Sequence, residues 1–246
     1  MTNLTEHTLD AQPHLDHLVV LADSLAEGAA WCEATLGVTP GPGGEHPLFG
    51  THNRLLALGG NAYPLAYLEI IAINSEAARA NSTSARSQNS TQRRWFDMDD
   101  AALQASVRTH GPRLIHWVAR VPDVQAACGA LAAQGLDRGD VLRASRMTPA
   151  GLLSWQISVR PDGQRLMGGC LPTLIEWGAV HPAADMAACG LALQSLTLRH
   201  PQAHVLGSAC DAVGVAGVQV VTGAVAELEA VLSTPRGMVT LSSQAV

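Results

Sequence analysis

Apolar and polar positions along the chain fall into a pattern that occurs twice. The run Leu15-Asp16-His17-Leu18-Val19-Val20-Leu21 is β-prone without clean polar alternation, which predicts a strand covered on both faces. Behind it, Ser24 and Glu27 have capping-box spacing, Leu25, Ala29, Cys32 and Leu36 fall near one helical face, and Gly37 supplies a stop. Pro40 to Gly44 reads as a loop, Gly50 to Leu58 as a strand entered from a polar turn, and Tyr67 to Ala72 as another apolar strand. The pattern restarts at Leu114-Ile115-His116-Trp117-Val118-Ala119. Pro122-Asp123 opens the next helix, Val124, Ala127 and Leu131 give its apolar face, and Gly135 ends it.

Spacing ties the two halves together. His17 to Gly37 is 37 − 17 = 20 positions and His116 to Gly135 is 135 − 116 = 19. The histidine-to-glutamate distances are 69 − 17 = 52 and 176 − 116 = 60. A duplicated βαβββ unit accounts for both pairs and predicts an α+β fold of tandem βαβββ modules over residues 14–74 and 111–182. Between them, residues 75–110 read as a linker or insertion. It is rich in Ser, Asn, Thr, Gln and Ala up to Gln92, and Arg93-Arg94-Trp95-Phe96 then docks aromatic rings. Asp97 or Asp99 is expected to cap a short helix through Val107. Residues 190–246 read as a partial third unit, with a helix begun by Pro201 and stopped by Gly214. Counting 19 or 20 positions back from Gly214 lands on Ser195 or Gln194 rather than a histidine. A third, degenerate copy with a structural role is therefore expected.

Composition removes several function classes. With 246 residues, 47% hydrophobic and 15% charged, the chain has ample material for a core. A formal net charge of −6 without a basic cluster gives no electrostatic basis for nucleic-acid binding. All 15 basic side chains are arginine, so neither a lysine Schiff base nor a P-loop lysine is available. Five cysteines, odd in number and without C-x-x-C spacing, fit a reduced, cytoplasmic protein. No leader pattern and no bilayer-length apolar run stand out, so no membrane partner is expected.

What remains is carboxylate, histidine or metal chemistry. His17, Glu69, His116 and Glu176 each interrupt an apolar strand, and an unpaired buried polar group costs about 1–3 kcal/mol. Four such residues at repeated positions read as one metal site, for which Zn, Ni, Fe, Co and Mn are all suitable. The alternative is two buried pairs without metal, His17 with Glu69 and His116 with Glu176. Asn53 and Arg54 at a strand entrance either reach a substrate or satisfy turn backbone. Arg143 and Arg146 either sit on a solvated loop or grip a carboxylate, and Trp155 either belongs to the core or stacks a flat ligand.

LDHLVV, GTHNRLLALG, YLEIIAI, IHWVARV and LPTLIEWG followed by His181-Pro182 together resemble the vicinal oxygen chelate superfamily, and more closely its glyoxalase-like domain branch. The resemblance implies an open, eight-stranded cup in which His17, Glu69, His116 and Glu176 hold one divalent ion. It further implies a lyase or isomerase acting on a small substrate with vicinal oxygens through an enediolate. Glu176 is then favoured as base over Glu69, and Asn53, Arg146 and Trp155 are the substrate-binding candidates. The alternative within the same superfamily is a binding protein that sequesters a small molecule without turnover. A small-molecule ligand is the expected partner, with a homodimer compatible with the pattern.

Overall fold

The computed structural model describes residues 12–60, 62–74, 93–148 and 151–244. The first apolar run forms β1 (His14–Leu21), and α1 (Leu25–Thr35) starts at Ser24, whose hydroxyl accepts the Glu27 N–H at 3.2 Å. Glu27 reaches back to the Asp23 N–H at 3.1 Å, one residue earlier than the usual capping box. Three strands follow: β2 (Gly41–His46), β3 (Thr51–Ala57) and β4 (Tyr67–Ile73). The second module repeats the order with β5 (Arg113–Arg120), α3 (Val124–Ala132), β6 (Asp140–Thr148), β7 (Gly151–Val159) and β8 (Thr173–Trp177). Helix α2 (Ala101–His110) precedes it, capped by Asp100 rather than by Asp97 or Asp99.

The stretch Pro40 to Gly44, expected as a loop, instead contributes most of β2. Its partner β3 supplies the hydrogen bonds, and Pro42 is tolerated because β2 is an edge strand with a register shift between Pro42 and Glu45.

Both modules join one eight-stranded sheet of order β2-β3-β4-β1-β5-β8-β7-β6. Within each module the first strand pairs with the last in parallel, and the modules meet where β1 runs antiparallel to β5. This is an α+β fold of two tandem βαβββ modules. The β1–β5 ladder carries a bulge on each strand, leaving Asp16 and Ile115 outside the register. These residues are equivalent by the repeat, since each precedes its histidine and 115 − 16 = 116 − 17 = 99. The helix caps keep the same offset, 123 − 24 = 99.

The C-terminal unit contains β9 (Ala192–His200), α4 (Ala203–Ala212), β10 (Val218–Thr222), β11 (Glu227–Thr234) and β12 (Gly237–Ser242). Its element order is again βαβββ, but its sheet order is β10-β9-β11-β12, so the first strand pairs in parallel with the second rather than the last. Leu196, Leu198, Leu206 and Leu228 of this unit share one apolar core with Leu18, Trp117 and Leu174 of the two modules.

The opposite face of the large sheet forms the cup, with Val19, Ile71, Val118 and Ile175 at its floor. Residues just before α2 fill its middle. Trp95 stacks on Phe49 with ring centroids 4.1 Å apart and on Phe96 at 5.1 Å. Trp95 also meets His46 edge-on at 4.9 Å, while Phe96 lies 5.0 Å from His116. Phe96 and Asp97 adopt positive φ values of 59° and 56°, a conformation costly for such side chains. The ion pair of Asp97 with Arg165 at 3.0 Å helps hold it. This aromatic plug separates a polar chamber lined by both modules, which holds His17 and Glu69, from a smaller one in the second module.

Candidate functional site

The bulge at Asp16 decides the chemistry of the first chamber. Consecutive strand residues normally point to opposite faces, but a bulge re-aims one of them. Asp16 and His17 are thereby brought together, with Oδ1 accepting from the His17 Nδ1–H at 2.6 Å. Oδ2 accepts from the Trp177 indole N–H and from His181 Nε2, each at 2.9 Å. Burial of Asp16 opposes ionisation, yet the hydrogen bonds from His17 and His181 outweigh it and hold the carboxyl well below the usual carboxylate range. His17 also stacks on Tyr67 at 4.5 Å. Burial and the nearby charges of Asp16 and Glu69 push the Tyr67 phenol well above its ordinary value, so it stays neutral.

With Nδ1 committed, His17 presents Nε2 to the cup, 3.6 Å from Oε2 of Glu69. Oε1 of Glu69 is held by the Asn53 side-chain N–H at 2.6 Å. The Asn53 amide can face only one way, because its oxygen accepts the Gly44 backbone N–H at 2.7 Å. That contact needs glycine at 43, where a Cβ would lie 2.2 Å from both the carbonyl and amide oxygens of Asn53. Asn53 thus does both things, satisfying a backbone N–H and holding the Glu69 carboxylate. Neighbouring His46 accepts weakly from Asn53 at 3.5 Å and pairs with the Thr51 hydroxyl at 3.1 Å. Burial pushes the His46 pKa down to about 4 against the pull of Glu69, leaving the ring neutral at pH 7.

Arg146 closes the mouth of this chamber. It stands on β6, one edge of the sheet, and its guanidinium lies over Gly44 on β2, the other edge. A Cβ on Gly44 would sit 1.3 Å from Nη1. Arg146 makes no hydrogen bond or ion pair among the described residues. The chamber is narrow, with about 40 Å³ open to a water-sized atom, and Trp155 and Trp177 join Tyr67 and Trp95 in its walls. Arg54 and Arg143 take no part in it: Arg54 is exposed on β3, and Arg143 bonds Gln156 at 3.0 Å outside the cup.

The other two expected ligands are committed elsewhere. His116 is fully buried, its Nδ1–H donating to the Gly169 carbonyl at 3.0 Å. Its Nε2 accepts from the Thr173 hydroxyl at 3.0 Å and from the Thr173 N–H at 3.2 Å. Burial and the charges of Arg138 and Arg165 hold its pKa well below the ordinary value. Both ring nitrogens are thus satisfied by protein. Glu176 is turned out of the cup, because Ile175 and Trp177 on either side of it line the chamber. Its carboxylate accepts the Val124 N–H at the start of α3 and the Gln156 amide, both at 3.0 Å. Among the described residues no group of three or more His, Cys, Asp or Glu side chains is arranged to hold a metal. His17 and Glu69 are two ligands where a catalytic divalent site takes about three from the protein. The four-ligand metal centre, and with it Glu176 as the base, does not fit this arrangement. The expected pairing of His116 with Glu176 is also replaced, by His116 with Thr173.

Asp16, His46, Tyr67 and His181 were not singled out as site residues from the sequence. The available signal was the polar residue beside His17 and the second half of the Gly-Pro-Gly-Gly-Glu-His run, which reads as a turn until β3 is known to pair with it. The five cysteines are free thiols, and no helix among the described residues is long and apolar enough to cross a membrane.

Two βαβββ modules joined into one curled sheet, with polar side chains gathered inside, define a protein of the vicinal oxygen chelate type. The chain belongs to the glyoxalase-like domain family, whose model matches residues 15–214. Among curated proteins none matches. Of solved structures, a hypothetical protein from Staphylococcus aureus shares the fold with a TM-score of 0.51 at 13% identity, covering 87% of this chain and 88% of that one. A methylmalonyl-CoA epimerase in complex with methylmalonyl-CoA and NH4+ aligns with a TM-score of 0.40 at 16% identity, over 69% of this chain and 98% of that one. The methylmalonyl-CoA epimerase from Mycobacterium tuberculosis gives 0.35 at 18% identity, over 66% and 85%.

Proposed function

We propose that this glyoxalase-like protein is a lyase or isomerase that moves a proton next to a carbonyl in a small anionic substrate. The first chamber is its active site. One observation carries the reading: Glu69 Oε2 and His17 Nε2 face each other across 3.6 Å while the other atom of each group is tied down, to Asn53 and Asp16. Two groups aimed into a chamber and left without other partners are what acid–base catalysis requires.

In this mechanism Arg146 binds the substrate carboxylate at the mouth, where a guanidinium recognises it bidentately. The adjacent C–H lies against Glu69, which takes the proton. His17, its Nδ1 held by the ionised Asp16, turns Nε2 towards the oxygen that gains negative charge, and this step requires a proton on Nε2. Return of the proton to the other face or a neighbouring atom gives the isomer, and loss of a leaving group instead gives the lyase outcome. The lining of Tyr67, Trp95, Trp155 and Trp177 favours a flat or unsaturated substrate. It equally supports the second reading, binding without turnover.

The test is proton exchange. The protein, with chelator present, is incubated in deuterated water with 2-oxo acids and 2-hydroxy ketones, and loss of the α-proton signal is followed by NMR. Exchange above the protein-free rate supports catalysis. Tryptophan quenching by a ligand that never exchanges supports sequestration.

A further inference from the structure

We propose that the second chamber is an anion site, in which the buried guanidinium of Arg138 holds a small monovalent anion of the chloride class. Arg138 is only 3% exposed, and its one hydrogen bond runs from Nη2 to the Thr173 hydroxyl at 2.7 Å. Its Nε and Nη1 are buried without any partner. A buried cation left uncompensated is unfavourable by several kcal/mol, so a counter-charge is required. Burial pushes its pKa down to about 10, which still leaves a full positive charge at neutral pH.

The nearby carboxylates of Asp137 and Asp162 act on Arg138 only at a distance and make no hydrogen bond to it. Asp137 accepts the Gly139 N–H at 2.8 Å, and Asp162 is gripped by Arg160 at 2.5 and 3.0 Å. His116 is neutral, as its partners require. Arg138 instead lines a narrow cleft of about 250 Å³ together with Ser158, Arg160, Gln164, Thr173 and the ring of Phe96. The Thr173 hydroxyl gives its proton to His116 and Arg160 is held by Asp162, so the free donors of this lining are the unpartnered Nε–H and Nη1–H of Arg138, and only a small part of the cleft admits an atom of water size. A monatomic anion suits that space, whereas a phosphate or a larger organic acid does not.

The repeat sharpens the assignment. Thr173 stands at the position that Glu69 holds in the first module, so the second chamber lacks the repeat's carboxylate and gains an arginine. One chamber is built for proton chemistry and the other for a fixed negative charge that stabilises the fold.

Thermal unfolding of the full chain, with sodium gluconate replaced stepwise by sodium chloride at constant ionic strength, reads this out. The melting midpoint should rise and then saturate, by about 5 °C in all. Arg138→Gln should melt at the same temperature in both salts. Equal midpoints for the wild type in the two salts, or a chloride effect undiminished in Arg138→Gln, would overturn the proposal. Should that variant fail to fold, crystals of the wild type grown in bromide decide the location. An anomalous peak beside Arg138 and Thr173 is expected, and its absence overturns the site.

Discussion

Thr173 and Glu69 occupy matching positions in the two modules: Glu69 is the register partner of Val19, Thr173 that of Val118, and each valine lies two residues after its module's histidine. Each residue also lies against that histidine, Glu69 at 3.6 Å from His17 and Thr173 at 3.0 Å from His116. Duplication placed a polar residue against each histidine, and the exchange of carboxylate for hydroxyl, together with Arg138 in the second module, separates the chemistry of the two positions.

Chelation tests the consequence for metal. Dialysis against EDTA is expected to leave the melting midpoint and ligand-induced tryptophan quenching unchanged, because His116 and Glu176 are already satisfied. A loss on chelation that returns with zinc or manganese would show that the chamber recruits an ion despite this arrangement.

His116 is a structural residue on this account. His116→Ala leaves Gly169 and Thr173 with buried, unmatched groups, and is expected to cost about 2–4 kcal/mol in urea unfolding. Substrate affinity in the surviving folded fraction should be unchanged.

The internal repeat was legible because capping residues, stop glycines and apolar strands recur at fixed offsets. The fourth ligand was misplaced for a definable reason. Glu176 is the next acidic residue in the matching strand, but sheet register, invisible in one sequence, puts Thr173 opposite Val118 and turns Glu176 to the other face. The same limit hid His46, since the pairing that makes Gly41–His46 a strand comes from β3. The third unit's βαβββ order could be read, whereas its different strand pairing is set by tertiary contacts with the modules.

Acid lability should follow from two histidines. Burial lowers the pKa of His46 to about 4 and that of His116 well below the ordinary value. Their folded forms stay neutral while the unfolded chain takes up protons below about pH 6.5. The stability they contribute is therefore complete above that pH and is lost as pH falls, by at most about 1.4 kcal/mol per pH unit for each ring. Asp16 acts lower, since its depressed pKa keeps its contribution until pH falls below about 3.9. Urea unfolding between about pH 7 and pH 4 should show the decline, with a shallower slope in His46→Asn. A flat profile would contradict the burial of both rings.

Truncation after Ala184 removes Leu196, Leu198, Leu206 and Leu228 from the shared core and bares apolar surface around Leu18 and Trp117. Reduced solubility and a lowered melting midpoint are expected, although no residue of the first chamber is lost. A soluble truncation with unchanged melting would make the C-terminal unit an independent appendage.

The central claim is that Glu69, and not Glu176, is the base. It is tested most directly by α-proton exchange in deuterated water, measured on one compound that the wild-type protein exchanges. Glu69→Gln is expected to lose exchange by a factor of about 10² or more, the usual size of a general-base contribution. Glu176→Gln should exchange like the wild type, losing only about 1 kcal/mol of stability from the Val124 contact. Exchange that survives in Glu69→Gln and vanishes in a folded Glu176→Gln would contradict the account.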